Sequence, residues 1–212
     1  MIITKSKDTS EIENLIDKKS VFIMGCSECA TICKTGGEEE VNKLKKDLVL
    51  KGIKVTGSIV LDPACHKLND IRILKKFKNE LNKSEKILVL SCGNGLQTIS
   101  EIIEDKDIIC GTNTLFLGEI KRLNEFERMC NFCGNCIIND FQGFCPITRC
   151  PKNMLNGPCG GSVKGKCEIN KDMKCVWQLI VNKFENKNKI SELKKIVKPF
   201  DWSKSQNWRL KI

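Results

Sequence analysis

The chain of 212 residues has no tyrosine, a single histidine (His66) and only 6% aromatic residues. One histidine leaves few side chains for acid–base catalysis near neutral pH, and it means that any zinc site must consist almost entirely of cysteine. No dinucleotide fingerprint, P-loop, paired carboxylates or Ser/His/Asp set stands out. Apolar runs such as 87–90 are far shorter than the roughly 20 residues of a membrane-spanning helix. We therefore expect no membrane span and no catalytic residues on this chain.

The net charge of +10, from 36 Lys and Arg against 26 Asp and Glu, does not indicate nucleic-acid binding. The lysines are spread along the whole chain, and the aromatic side chains that would stack on bases are scarce. The first ten residues contain no apolar run of signal-peptide length, so we expect a cytoplasmic protein. Thiols stay reduced in the cytoplasm. The 14 cysteines are therefore better interpreted as metal ligands than as disulfides.

Cysteine usage divides the chain into three parts. Residues 1–123 hold six cysteines among alternating helix and strand patterns, and residues 124–185 hold eight. Residues 186–212 hold none and are rich in Lys and Asn. We predict an α/β domain, an irregular cysteine-rich metal domain and a C-terminal tail.

The α/β domain is predicted from a strand, helix, strand rhythm. Strands are predicted at 21–24, 53–61, 86–91 and 107–109, and helices at 9–18, 36–50, 68–81 and 96–103. Parallel strands joined by right-handed crossovers form a small Rossmann-like sheet. A further helix is predicted at 174–185, with Trp177 in the core of the cysteine-rich domain. Thr35-Gly-Gly37 is expected to form a turn rather than an anion site.

The first group of cysteines is Cys26-x-x-Cys29-x-x-x-Cys33, immediately after the first predicted strand. Cys65 follows the second strand and Cys92 follows the third. Ligands of open parallel sheets bind outside the carboxyl ends of the strands. We therefore expect a [4Fe–4S] cluster on the first three thiolates, with Cys65 or Cys92 as the fourth ligand. The alternative is a set of reduced cysteines that pack as small apolar residues, which is the interpretation we favour for the isolated Cys110.

The second group begins with the spacing C-x2-C-x2-C, which is typical of bacterial ferredoxin clusters. Few aliphatic residues lie in this segment, so metal ligation would supply the free energy that folds it. A [4Fe–4S] cluster is predicted on the first three thiolates. The other five complete it and leave ligands for a further centre, iron–sulfur or zinc. The eight residues are Cys130, Cys133, Cys136, Cys145, Cys150, Cys159, Cys167 and Cys175.

Ordered motifs between about residues 21 and 182 resemble those of one family, the small zinc- or iron–sulfur-binding subunit of acetogen-type methylenetetrahydrofolate reductase. The same unit is described as the C-terminal domain of that reductase. The motifs are Gly25-Cys-x-x-Cys29, Cys33-x-Thr-Gly-Gly37, Val89-Leu-Ser-Cys-Gly-x-Gly-x-Gln-Thr98, Asn113-Thr-x-Phe-Leu-Gly118, Cys130-x-x-Cys-Gly-x-Cys136, Gly143-x-Cys-Pro-x-x-Arg-Cys150, Leu155-Asn-Gly-Pro-Cys-Gly-Gly161 and Gly165-x-Cys-Glu168.

The resemblance implies a non-catalytic electron-transfer subunit of an oxidoreductase, with two or three [4Fe–4S] clusters and zinc in one site as an option. Its partner would be a TIM-barrel flavoprotein whose FMN reduces methylenetetrahydrofolate to methyltetrahydrofolate in the reductive acetyl-CoA pathway. An upstream electron donor is also implied. Two alternatives remain open: a structural zinc scaffold without redox role, and an accessory protein of corrinoid or methyl-transfer chemistry.

The tail contains Ile190, Leu193, Ile196 and Val197 at helical spacing, followed by Trp202 and Trp208. Its apolar surface is too small for independent folding. We expect the tail to lie along its own domain or along the partner subunit.

Overall fold

The computed structural model describes residues 1–206 and divides the chain into two compact units. The first, here the sheet unit, comprises Met1–Phe116 and Arg122–Phe126. The second, here the cysteine-rich unit, comprises Leu117–Lys121 and Glu127–Ile212.

A four-stranded parallel sheet in the order β3-β2-β4-β5 forms the centre of the sheet unit. The chain runs from β2 outward to β3 and then crosses back to β4, so the strand order reverses between β2 and β4. This reversal is the switch point at which open α/β sheets bind their ligands. The strands are β2 (Val21–Cys26), β3 (Val55–Leu61), β4 (Lys86–Leu90) and β5 (Asp107–Cys110).

The sheet is buried on both faces. Alternate residues of a strand point to opposite sides, so Phe22 and Met24 join one apolar cluster while Val21 and Ile23 join the other. Strands of this kind are continuous apolar runs, which is why the sequence predicts them well. The covering helices are α1 (Thr9–Ile16), α3 (Glu38–Leu50), α4 (Lys67–Leu74), α5 (Lys78–Asn82) and α6 (Gly93–Ser100), with the short α2 (Cys29–Ile32) after β2. The predicted fold class is confirmed.

Two features of the fold differ from the sequence predictions. The helix predicted at 68–81 is divided into α4 and α5 by a 3₁₀ turn at Lys75–Phe77, where the Phe77 ring packs edge-on against Phe22 at 5.9 Å. A second sheet, in the order β1-β6-β7, was not predicted. Its strands are β1 (Ile2–Ser6), β6 (Thr112–Arg122) and β7 (Glu125–Cys130).

Outside its parts of β6 and β7, the described cysteine-rich unit has little regular structure beyond α7 (Pro146–Arg149) and α8 (Val176–Glu185). Short 3₁₀ turns occur at Ile138–Phe141, Ile190–Lys194 and Trp202–Gln206. Trp177 is 2% exposed, packs edge-on against Phe141 at 5.6 Å and donates from its indole N–H to the Met154 carbonyl at 2.9 Å. Its predicted place in the core is confirmed.

The described part of the C-terminal tail contacts its own unit. Leu193 and Val197 pack against the apolar core around Trp177. The side-chain amide of Asn156 donates to the Val197 carbonyl at 3.0 Å and accepts from the Val197 N–H at 2.6 Å. Lys204 donates to the Asn135 side chain at 3.3 Å. Trp208 lies outside the described residues.

No helix between residues 1 and 206 has the length and apolar character needed to cross a membrane.

Candidate cysteine metal sites

Four thiols of the sheet unit lie at the carboxyl ends of its strands. Cys26 is the last residue of β2, and Cys29 is the first residue of α2. Cys65 lies in the turn that follows β3, and Cys92 is the N-cap of α6, directly after β4. We call Cys26, Cys29, Cys65 and Cys92 the strand-end set.

Two glycines bring the loop between β2 and α3 close to the strands. The Cys26 N–H donates to the Gly36 carbonyl at 2.8 Å. A Cβ on Gly36 would lie 1.8 Å from the Leu90 carbonyl oxygen, and one on Gly25 would lie 2.3 Å from the Gly36 oxygen. The Thr31 hydroxyl donates to the Cys26 carbonyl at 2.8 Å. The position of this cysteine loop therefore depends on backbone contacts that only glycine permits.

The Cys65 thiol is affected by the other members of the strand-end set. Burial raises the pKa of the Cys65 thiol, and the neighbouring thiols of Cys26, Cys92 and Cys29 raise it further. A bound cation or an iron–sulfur cluster would stabilise the thiolate form of Cys65.

Cys33 and Cys29 both contact Ile2. The Ile2 N–H donates to the Cys29 sulfur at 3.4 Å, and the Cys33 sulfur lies 3.8 Å from the Ile2 carbonyl oxygen. The sequence analysis grouped Cys33 with Cys26 and Cys29 and left Cys65 or Cys92 as the fourth ligand. The thiols that act on Cys65 are those of Cys26, Cys92 and Cys29, and the assignment of Cys33 as a ligand stays a prediction.

Four thiols of the cysteine-rich unit line a single cavity of about 20 Å³, here the cysteine cavity. They are Cys150, Cys159, Cys167 and Cys175. Backbone hydrogen bonds hold the loop that carries two of them: the Cys167 N–H donates to the Met173 carbonyl at 3.0 Å, and the Cys175 N–H donates to the Gly165 carbonyl at 2.9 Å. The volume corresponds to about one water-sized occupant.

Charged side chains also line the cysteine cavity. The Lys152 ammonium forms an ion pair with the Glu168 carboxylate, and the Cys159 thiol donates to the same carboxylate at 3.3 Å. The sequence analysis assigned no role to Lys152 or Glu168. Their positions close to Cys150 and Cys167 in the chain were the available indication.

The remaining thiols of this unit are those of the C-x2-C-x2-C loop and Cys145. Phe132 and Gly134 have positive φ values of 54° and 73°, which coil the loop. The Phe132 N–H donates to the Cys130 sulfur at 3.4 Å. Cys130 and Cys136 are exposed, whereas Cys133 and Cys145 are intermediate in burial. Cys145 is the N-cap of α7, 3.7 Å from the Thr148 hydroxyl.

All 14 thiols are free, including Cys110, whose sulfur lies 2.8 Å from the Thr112 carbonyl oxygen. Within residues 1–206, no group of three or more His, Cys, Asp or Glu side chains has the spacing of ligands around a single metal ion. The thiolates of a four-iron cluster bind separate irons and so stand further apart than the ligands of one ion. The ligand assignments remain predictions.

The fold and these residues define the class: a two-unit α/β protein that collects free thiols at the switch point of a parallel sheet and in a cavity of an irregular second unit. Residues 109–203 match the model of a family described as the C-terminal part of methylene-tetrahydrofolate reductase. The match covers just under half of the chain and includes all eight cysteines of the cysteine-rich unit. This part of the chain is therefore similar to a domain of that reductase.

No curated protein and no solved structure is detectably similar to the chain.

Proposed function

We propose that the chain is the electron-transfer iron–sulfur subunit of a methylenetetrahydrofolate reductase complex. One [4Fe–4S] cluster is held by the strand-end set, and a second by Cys130, Cys133 and Cys136 with Cys145. The thiols of the cysteine cavity are candidate ligands of a further centre, iron–sulfur or zinc, although their spacing is not that of ligands around one ion. Electrons pass from an upstream donor through the clusters to the FMN of a catalytic partner, which reduces methylenetetrahydrofolate to methyltetrahydrofolate.

The strand-end set is the observation that carries this proposal. The ends of three neighbouring parallel strands and the start of α2 each place one thiol at the same edge of the sheet. The neighbouring thiols add to the rise that burial causes in the pKa of Cys65. Packing alone gives no reason for four thiols to meet at the switch point, which is where ligands of such sheets bind. Iron–sulfur clusters are ligated by four thiolates.

Hydrogen bonds from the backbone support a redox role for the thiols. The Ile2 N–H donates to the Cys29 sulfur at 3.4 Å, and the Phe132 N–H donates to the Cys130 sulfur at the same distance. Such bonds stabilise the additional negative charge of a reduced centre and so set its potential. An iron–sulfur cluster accepts and releases single electrons when bound. The chain's own contribution is to fix the thiolates and to direct amides at their sulfurs.

Zinc takes four thiolates in a compact tetrahedron, with Zn–S distances of about 2.3 Å. The thiols that line the cysteine cavity do not have this spacing, so zinc binding there would require them to move closer together. Metal ligation would stabilise a unit whose aliphatic core is small.

The partner assignment is supported by the family match at residues 109–203 and by the redox chemistry that clusters supply to a flavin. The proposed setting is the cytoplasm, where the thiols remain reduced. A structural scaffold remains the rival function, because a zinc ion in the cysteine cavity would be consistent with it. The scaffold differs in having no iron.

Cysteine variants of the full chain, purified without oxygen, test the proposed ligands. Cys65→Ala and Cys92→Ala should each lose about four irons and the signal of one reduced cluster in electron paramagnetic resonance (EPR). Cys110→Ala and Cys33→Ala are matched controls that should retain the iron of the wild-type chain. Equal iron in all four variants and wild type would contradict the assignment of the strand-end set.

A test of the partner uses co-expression with an FMN-containing reductase subunit. The dithionite-reduced chain should reduce the flavin of the purified complex, whereas the Cys92→Ala chain should do so more slowly. Flavin reduction that is independent of this chain would contradict the relay.

A further inference from the structure

We propose that an apolar groove of the sheet unit binds a small amphiphilic anion, that is, a carboxylate or phosphate group on a short aliphatic chain. The groove, here the lysine-rimmed groove, lies between α4 and α5 on one side and the segment that follows α6 on the other. Its described lining contains no cysteine, so binding there does not depend on an iron–sulfur cluster.

Aliphatic side chains form the floor of the lysine-rimmed groove. Leu74 and Leu81 are buried, whereas Ile71, Ile102 and Ile103 are half-buried and still expose part of their surface. The five residues come from α4, from α5 and from the segment after α6. Covering the exposed part with an aliphatic ligand is favourable, because it removes apolar surface from water.

The 3₁₀ turn between α4 and α5 places two lysines at the rim. The Phe77 ring of this turn packs against Phe22 in the core. Lys75 lies in the same turn and Lys78 begins α5, and both line the groove. Both are exposed, and neither belongs to an ion pair among residues 1–206. Their charge is therefore available to an anionic ligand.

A third lysine connects the two walls of the groove. The Lys106 ammonium donates to the Ser84 carbonyl at 2.8 Å, and the Ser84 hydroxyl donates to the Leu81 carbonyl at 2.7 Å. These bonds link the segment before β5 to the end of α5, so the groove is formed before a ligand binds. Asp105 is the only carboxylate of the described lining. Three ammonium groups against one carboxylate favour an anion.

The size of the groove favours a small molecule over a partner's helix. Its volume is about 390 Å³, within the range of about 300–1,000 Å³ that is typical of small-molecule sites. A single turn of helix, about 10 Å across and about 5.4 Å long, already has about this volume. A carboxylate with a medium-length chain fits both the volume and the combination of an aliphatic floor with a cationic rim.

Calorimetric titration of the full chain tests the proposal. Wild type purified without oxygen is titrated at constant ionic strength with butanoate, hexanoate and octanoate, and with octanol. Octanoate should bind saturably, with one ligand per chain, and more tightly than octanol. Each added methylene should increase the affinity by about two- to fourfold, because the floor buries it.

Paired lysine variants test the rim. The double variant Lys75→Met with Lys78→Met should weaken octanoate binding by about fivefold or more and leave octanol binding unchanged. The control is Lys76→Met with Lys83→Met, which removes the same charge at two exposed lysines outside the described lining. It should change the octanoate affinity by less than about twofold, because surface charges that do not contact the ligand are screened.

A substitution on α4 tests the floor. Ile71→Ala should weaken octanoate and octanol binding to the same extent, because both ligands lose the same apolar contact. Leu68→Ala is its control, since Leu68 lies on the same helix, is 78% exposed and does not line the groove.

Several outcomes would overturn the proposal. These are the absence of saturable octanoate binding, an affinity that does not increase with chain length, and equal weakening by the two lysine pairs. Binding to phosphatidylglycerol vesicles that requires Lys75 and Lys78, without binding of free octanoate, would assign the groove to a membrane surface instead.

Iron content separates this proposal from the proposed function. The lining reaches Lys106, which directly precedes β5, whereas the strand-end thiols lie at the opposite ends of the strands. Every variant should therefore keep the iron of wild type. A wild-type chain without iron would contradict the relay and leave octanoate binding unaffected.

Discussion

At the scale of single residues, the sequence predicted where the thiols of the sheet unit lie better than which groups contact them. Cys26, Cys65 and Cys92 were placed correctly at strand ends, because apolar runs mark where parallel strands stop. The sequence grouped Cys33 with Cys26 and Cys29, and this grouping stays a prediction. Spacing within one loop cannot reveal that Cys29 and Cys33 both contact Ile2, since these contacts depend on β1. Lys152 and Glu168 were missed for the same reason, because their pairing is a tertiary contact.

Asp70 is a buried carboxyl group whose ionisation should reduce stability. It is 0% exposed, and neither oxygen has a hydrogen-bond partner among residues 1–206. Burial raises its pKa above the ordinary value, although the nearby His66 opposes this rise. Because the pKa is raised in the folded state, the protonated Asp70 carboxyl makes a stabilising contribution that is complete below the unfolded-state pKa of about 3.9. It is lost as pH increases through the folded-state value.

Asp70→Asn should therefore be more stable than wild type at pH 7, by about 1 kcal/mol. The difference should shrink as the pH falls below the unfolded-state pKa of about 3.9, where the wild-type carboxyl becomes protonated in both states. Urea unfolding of the metal-loaded chain at several pH values measures it. Asp105→Asn, at an exposed carboxylate, is the control and should show no such trend. A stability difference that does not vary with pH would contradict a raised pKa for Asp70.

At the scale of elements, the sequence predicts the helices and strands that a local residue pattern marks. β2 and β4 are continuous apolar runs, and α3 has an acidic first turn with Glu40 accepting from the Gly37 N–H at 3.0 Å. That bond explains why the turn before α3 serves as a helix cap, as expected. β6 and β7 carry mostly exposed or half-buried side chains, so no hydrophobic period marks them. The break between α4 and α5 depends on the contact of Phe77 with Phe22, which has no local signal.

Gly36→Ala tests whether the cysteine loop depends on close backbone packing. The added Cβ would meet the Leu90 carbonyl oxygen at 1.8 Å, so the loop must move away from β4. We expect destabilisation of about 1–3 kcal/mol in thermal or urea unfolding, which is typical of overpacking. Loss of the iron held by the strand-end set should accompany it.

Gly93→Ala is the matched control for this substitution. Gly93 also adjoins a cysteine of the strand-end set, but its added Cβ would have an ordinary contact of 3.5 Å with the Thr114 hydroxyl. The substitution should leave iron content unchanged and stability unchanged or slightly higher, since alanine favours helix. Similar losses in the two variants would contradict the role given to Gly36.

The C-terminal tail is held to its unit by a side-chain amide. Asn156→Ala removes both hydrogen bonds to the Val197 backbone, each worth about 0.5–1.5 kcal/mol. Amide hydrogen exchange at Val197 should become about tenfold faster or more, while exchange in α8 remains slow. Asn139→Ala is the control, because Asn139 is exposed and lines the same pocket as Asn156 and Val197. Unchanged protection at Val197 would show that the apolar contacts of Leu193 and Val197 suffice to hold the tail.

At the scale of the whole molecule, the two units contribute different kinds of evidence. The cysteine-rich unit is similar to a reductase domain at residues 109–203, but its thiols lie on irregular loops. The sheet unit lies mostly outside the matched stretch, yet it brings four thiols to the place where its fold binds ligands. The proposed relay needs both units, because it assigns one cluster to each.

The most direct test of the relay is the content of iron, zinc and acid-labile sulfide in the wild-type chain purified without oxygen, together with EPR after dithionite reduction. The account predicts about eight or more irons with equal sulfide, and signals from at least two reduced clusters. Zinc alone, without iron, sulfide or a reduced signal, would contradict electron transfer and leave a structural scaffold.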